Sequence, residues 1–254
     1  MTDWKAFSHA YGEASQIPDL LDRLRNAPDE AIGQDLWSCL CHQGTVYSAS
    51  YVALQPLFEI ASALPPSDRL SPLMLIGHII ASDDLYGLEH RPADLILPLI
   101  PGLETLVEEA MAVENLQPDS FIYHLEAAIT FAGDLFWGRN LNHLVDGEFP
   151  GQCPACRHDL YLVIGDLGFF ITAQDWVGAK NKGAAKNAIL PTAEQDLAGS
   201  GAWLHSKALT YRQPAVAFRI RHLFGTGTCP ACQQKFSLAD AIALGLPSRQ
   251  MDRD

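Results

Sequence analysis

The sequence predicts a mainly α-helical first part followed by a smaller α+β part. Three observations predict it. Apolar residues recur at helical spacing through residues 1–150, a Pro-centred pattern repeats there 42 residues apart, and two matching cysteine pairs bracket residues 153–232. Charge divides the chain at the same place. Residues 1–150 hold 6 Lys+Arg against 22 Asp+Glu, a net of −16, and residues 151–254 hold 11 against 8, a net of +3. We therefore read an acidic helical domain over 1–150 and an α+β region over 151–254.

With 254 residues, 48% hydrophobic and 19% charged, the composition is that of a folded chain. Its longest apolar runs, "LMLIGHIIA" and "LILPLI", fall short of the ~18 residues that span a bilayer. The opening "MTDWKAFSHAYGEA" lacks the apolar core of a signal peptide, so the expected location is cytoplasmic. In that reducing compartment, six cysteines favour thiols or metal thiolates over disulfides.

Helices are expected near 17–26, 29–42, 48–64, 68–83, 92–115 and 118–134. In "PADLILPLIPGLETLVEEAMAVEN", Ile96, Leu99, Ile100, Leu103, Leu106, Val107 and Ala110 fall on one stripe, and Pro92 suits the first turn. The joints "HQGTVYS", "PPSD" and "LQPDS" are short enough to make neighbouring helices antiparallel. "LQPLFEIASAL" and "ILPLIPGLETL" superpose at Pro56 and Pro98, and an interior proline should kink each helix at the same point. A two-helix unit of about this length is the period of HEAT and armadillo arrays. The expectation is a HEAT-like helical hairpin array, with a general helical bundle as the alternative.

The stretch "CLCHQGTVYSASYVALQPLFEIA" resembles a loop-and-helix stretch in small bacterial HEAT-like proteins of the polymorphic-toxin immunity type. The resemblance covers residues 30–150 loosely. It implies a non-catalytic protein that binds and blocks a cognate toxin.

"GQCPACRHDL" and "GTCPACQQKF" share the pattern Gly-x-Cys-Pro-Ala-Cys, followed after three residues by Leu160 or Phe236. Cys153, Cys156, Cys229 and Cys232 together supply four thiolates, the closed tetrahedral set of a structural zinc. Each Cys-x-x-Cys lets a tight turn aim two sulfurs at one ion, and the site resembles a zinc-ribbon knuckle. Seventy-two residues separate Cys156 from Cys229, against about 15–20 in compact sites, so the ion would clip the ends of an inserted segment. Four cysteines leave no position open for water or substrate, which points to structural rather than catalytic metal. A redox dithiol pair and two half-sites bridging a dimer are the alternatives. Within the segment, "LYLVIGDLGFFIT" reads as a β-hairpin turning at its "GD". "SGAWLHSKALTYR" and "PAVAFRIRHLFG" read as a helical pair with Pro214 opening the second. "SLADAIALG" reads as a short helix capped by Ser237 and ended by Gly245.

Other candidates carry less. Cys39 and Cys41 are expected in a helix, on different faces, as core thiols. His42 opens a connecting loop, and His158 finds no vacancy beside four cysteines. Asp83 and Asp84 could act as acid and base but read as a solvated helix end. Glu104, Glu108 and Glu109 form a solvated helix face or meet a basic partner. The loop "GAKNKGAAKN" (178–187), with Lys180, Lys182 and Lys186, and the cations Arg212, Arg219, Arg221 and His222 could touch phosphates or simply be solvated. No nucleophile elbow, phosphate loop, dinucleotide fingerprint or His-Glu-x-x-His is present, so the chain reads as a non-enzyme. The expected partner is a basic toxin domain, with no membrane; the alternative is a zinc-ribbon-type nucleic-acid-binding or regulatory protein.

Overall fold

The computed structural model describes residues 2–26, 29–176 and 185–246. It mixes helices with several small sheets and divides into two compact units, 1–140 and 141–254. Residues 141–150 belong with the second unit, because Glu148–Gln152 form a strand there. No helix among the described residues is long and apolar enough to cross a membrane.

The first unit opens with a minimal hairpin, β1 (Ser8–His9) and β2 (Gly12–Glu13), and continues through α1 (Ile17–Asn26) and α2 (Glu30–Leu40). Asp29 caps α2 by accepting from the Ala31 amide at 2.9 Å. The helix expected to reach residue 42 stops at Leu40. Gln43 (φ 51°) and Gly44 (φ 87°) take left-handed conformations and turn a tight hairpin between β3 (Cys41–His42) and β4 (Thr45–Val46). Cys41 and His42 are thus strand residues, and β5 (Asp84–Leu85) adds to β4 in parallel.

The expected helix over 48–64 is two helices, α3 (Ser48–Val52) and α4 (Leu54–Ala63). Pro56 lies in the first turn of α4, where an amide has no intrahelical acceptor, so it starts a helix and kinks none. Further on come α5 (Leu70–Ala81), α6 (Ala93–Ile96), a 3-10 turn at Leu97–Leu99 that contains Pro98, and α7 (Ile100–Met111). Both repeat prolines therefore mark breaks between helices. The apolar stripe survives the second break: Ile96, Leu99, Leu103, Leu106, Val107 and Ala110 are all buried. The unit closes with α8 (Pro118–Phe131) and α9 (Trp137–Asn140).

Helix α5 is the centre of this unit, packing against α2, α4, α7, α8 and α9. Leu73, Ile76 and Ile79 are fully enclosed. Gly77 sets the closest approach, because a Cβ there would stand 3.2 Å from the Ala127 Cα of α8. Several polar side chains are paired around this centre. Arg91 and Arg139 donate to the carbonyls of Ala81 and Ser82 at the end of α5, and Arg139 also pairs with Asp83 at 3.2 Å. The buried Glu126 carboxylate lies 3.1 Å from His78 Nε2. Arg69, itself buried, reaches Glu109 and the Leu64 carbonyl.

The second unit begins with α10 (His143–Asp146) and a four-stranded antiparallel sheet. Its strands are β6 (Glu148–Gln152), β7 (Asp159–Gly165), β8 (Gly168–Thr172) and β9 (Asn187–Ala188). The β7–β8 hairpin turns between Gly165 and Gly168, at the "GD" of the sequence. The helical pair α11 (Gly199–Thr210) and α12 (Pro214–Leu223) follows. After it come a second hairpin, β10 (Thr226–Thr228) and β11 (Lys235–Ser237), and α13 (Leu238–Gly245). Ser237 caps α13 by accepting from the Asp240 amide. Helix α13 lies so close on β6 that a Cβ on Gly245 would stand 2.5 Å from the Gly151 Cα. Glycine at both positions permits that contact.

One buried group makes stability depend on pH. His124 donates from Nδ1 to the Ser120 carbonyl at 2.9 Å, while its buried Nε2 has no partner among the described residues. Burial pushes its pKa from 6.5 down to about 4, although the bond to Ser120 works the other way. The unfolded chain therefore takes the proton first, so stability falls as pH drops from 6.5 towards 4. The loss between pH 7 and pH 5 is about 2 kcal/mol. Urea midpoints at the two pH values should differ by less in His124→Leu than in the parent chain; an identical difference would show that this imidazole is not responsible.

Candidate metal centre

Both cysteine pairs sit at hairpin tips, built alike. The β6–β7 ladder ends at Gln152 opposite Asp159, leaving residues 153–158 as the tip. The β10–β11 ladder ends at Thr228 opposite Lys235, leaving 229–234. In the first tip the Cys153 amide donates to the His158 carbonyl and the Arg157 amide to the Cys153 carbonyl, both at 2.9 Å. In the second, the Cys229 amide donates to Gln234 at 2.9 Å and the Gln233 amide to Cys229 at 3.0 Å. Arg157 (φ 60°) and Gln233 (φ 63°) take the same left-handed turn. The proline after each first cysteine has no amide to satisfy, and the next two amides point at sulfur. Ala155 and Cys156 donate towards Cys153 Sγ, and Ala231 and Cys232 towards Cys229 Sγ.

The two tips face each other as a pseudo-symmetric pair. Cys153 Sγ lies 3.7 Å from Cys232 Sγ, and Cys156 Sγ lies 3.8 Å from Cys229 Sγ. All four sulfurs fall within 4.8 Å of one another. Four thiolates at about 2.3 Å from a tetrahedral ion stand about 3.8 Å apart, so the donor atoms and their spacing suit a metal ion. Cys153 and Cys229 are buried, Cys232 is half-buried and Cys156 is exposed, so one edge of the cluster faces solvent. His158 is exposed and outside the cluster.

The electrostatics favour a cation. Burial raises the Cys153 thiol, but the amides of Cys156 and Ala155 and the neighbouring thiols outweigh it and bring it down to about 7. The His158 amide favours the Cys156 thiolate, yet the thiols of Cys232, Cys153 and Cys229 push that thiol up to about 12. Burial, reinforced by Cys153 and Cys232, raises Cys229. The first thiolate suppresses the others, and a divalent ion among the sulfurs removes that conflict.

The segment between the tips is tied to the second hairpin. Leu190 and Thr226 exchange backbone hydrogen bonds at 2.9 Å, and Asn187 donates to the Thr228 carbonyl at 2.9 Å. Thr192 donates to Phe224 and accepts at its carbonyl from Arg221.

In the first unit, Cys39 and Cys41 are buried thiols that belong to no such grouping among the described residues, and burial pushes Cys41 up to about 12. Asp83 holds Arg139, and Asp84 accepts from Thr45 at 2.6 Å, so both carboxylates are engaged in the structure. Lys180 and Lys182 lie outside the described residues. Lys186 stands over the rings of Trp176 (3.8 Å) and Phe170 (4.1 Å), a packing role that a reading of the loop as basic misses. Arg219 pairs with Asp166 at 2.8 Å, and Arg221 with Glu194 at 3.6 Å.

Comparison of the chain with protein-family models, with curated proteins and with solved structures finds no match in any of the three.

Replacing Cys229 by Ser is expected to abolish stoichiometric metal binding and to cost the second unit several kcal/mol of stability, because binding free energy at such a site is folding free energy. Elemental analysis and a thermal melt of the variant check this; retained metal with an unchanged melt contradicts it.

Proposed function

We propose that this chain is a non-catalytic immunity protein that binds and neutralises a basic toxin domain, with a structural zinc ion in its second unit. The observation that carries the partner class is the charge of the first unit. Residues 1–140 hold 6 Lys+Arg against 20 Asp+Glu, a net of −14. Exposed carboxylates such as Asp22, Glu30, Asp35, Glu104 and Glu108 lie along its helices. A basic partner would be steered to such a surface, and nucleic acid or an anionic membrane repelled. On this reading the first unit is a HEAT-like array whose helices supply the binding face.

Several further observations support the reading. Four sulfur donors leave a zinc ion no open position for substrate, which suits a structural ion. Cys153, Cys156, Cys229 and Cys232 would hold it, and the ion would supply a cross-link between the hairpin tips. The engagement of Lys186, Arg219 and Arg221 within the fold favours protein over nucleic acid as partner. Glu109 drops out of the candidate contact residues, because it pairs with the buried Arg69.

The test is affinity purification of the tagged chain from its native lysate at low salt. A single stoichiometric protein, lost at high salt and captured about tenfold less well by a Glu104→Lys/Glu108→Lys variant, is the expected result. Nucleic acid in the eluate, or capture indifferent to salt and to both substitutions, contradicts the reading.

A further inference from the structure

A groove of about 500 Å³ opens in the first unit between the α1–α2 pair and the start of α5. Its floor is apolar, formed by Leu24, Trp37, Leu64, Leu70 and Met74. All but Leu24 are half-buried, so each leaves part of its apolar surface uncovered. Gly33 also lines the groove, and a Cβ there would stand 2.6 Å from Ser71 Oγ; glycine keeps α2 close to α5.

Three exposed carboxylates, Asp29, Glu30 and Asp68, rim this floor. Asp29 accepts from the Ala31 amide, Glu30 from Gln34 at 3.1 Å, and Asp68 from Ser67 at 2.8 Å. No cation among the described residues pairs with any of the three. Arg69, next in the chain to Asp68, is engaged by the Leu64 carbonyl and by Glu109. The rim is therefore unneutralised carboxylate around an apolar floor.

We propose that this groove docks a basic amphipathic helix of a protein partner, its apolar face on the Trp37–Met74 floor and its Lys or Arg side chains over Asp29, Glu30 and Asp68. An apolar stripe at helical spacing needs such a floor, and the flanking cations need such a rim. The other polar side chains that line the groove, Gln34, Ser67 and Ser71, are exposed, and Gln34 and Ser67 already bond to Glu30 and Asp68; a small ligand would need polar groups held within the groove to orient it. A second copy of the chain would bring a unit of net charge −14 against the same carboxylates. The proposal rests on the reading of the first unit as a protein-binding surface and names the place on it.

The test is fluorescence anisotropy of the full chain with a labelled synthetic Leu/Lys peptide of about four helical turns. Its control is a scrambled peptide of the same composition without an apolar face. The expected result is saturable binding of the amphipathic peptide and binding at least about tenfold weaker for the scrambled one. A Met74→Glu variant and a Glu30→Lys/Asp68→Lys variant should each weaken binding by about tenfold or more. The rim substitutions are on the surface and keep the test valid if Met74→Glu fails to fold. Equal affinity for the two peptides, or binding unchanged by the rim substitutions, overturns the groove. If binding instead responds only to Glu104→Lys/Glu108→Lys, the groove fails while the acidic-surface reading stands. Absence of peptide binding also overturns the groove, and partner capture then judges the broader reading separately.

Discussion

Convergence of four cysteine sulfurs at two hairpin tips is the constraint on which the rest of the second unit depends. The β10 and β11 strands are three residues each, and a two-stranded hairpin that short is marginal in water. The same holds for a segment of more than seventy residues whose ends must meet, since closing a loop of that length costs chain entropy. A metal cross-link between Cys153–Cys156 and Cys229–Cys232, as proposed, would offset both costs at once. It would join a tip of the four-stranded sheet to a tip of the small hairpin and hold the start and end of the inserted segment together. The packing of α13 on β6 through Gly151 and Gly245 would then sit beside a fixed point.

The first unit is organised differently. Its centre is an apolar helix, α5, and its polar side chains are paired around that helix: Arg139 with Asp83, Arg69 with Glu109, His78 with Glu126. Acidic residues are in large excess, so a few are neutralised internally and many are left to the surface. On the proposed reading, a carboxylate that compensates a buried cation belongs to the fold and not to the binding face. Glu109 looks like Glu104 in sequence, yet it compensates a buried guanidinium and belongs to the fold.

The cysteine set was legible because its signal is local and repeated: two copies of Cys-Pro-Ala-Cys state a turn geometry and a donor type. The β7–β8 hairpin, the α11–α12 pair and the capped α13 were legible for a similar reason, through alternation, Pro214 and Ser237. The other arms that carry the knuckles, β6, β10 and β11, were not. Strands of three residues such as β10 and β11 are too short for a period of two to stand out. The β3–β4 hairpin was hidden because "HQGTVYS" looks like a plain joint after a helix: its strands are two residues each, and its left-handed Gln43 carries no compositional mark. Pro56 and Pro98 look like kinks in the sequence because a proline's position within a helix is not known until the start of the helix is known. The pairing of Asp83 with Arg139 and the stacking of Lys186 join residues distant in sequence or in an irregular loop, where no spacing rule applies.

On the proposed reading one tetrahedral ion would be held by four thiolates from two hairpin tips of one chain. X-ray absorption at the zinc edge of the purified full chain reads that shell. The expected result is one zinc per chain with four sulfur neighbours at about 2.3 Å and no nitrogen or oxygen in the shell. A shell containing nitrogen or oxygen, or a chain that purifies folded without metal, would contradict it.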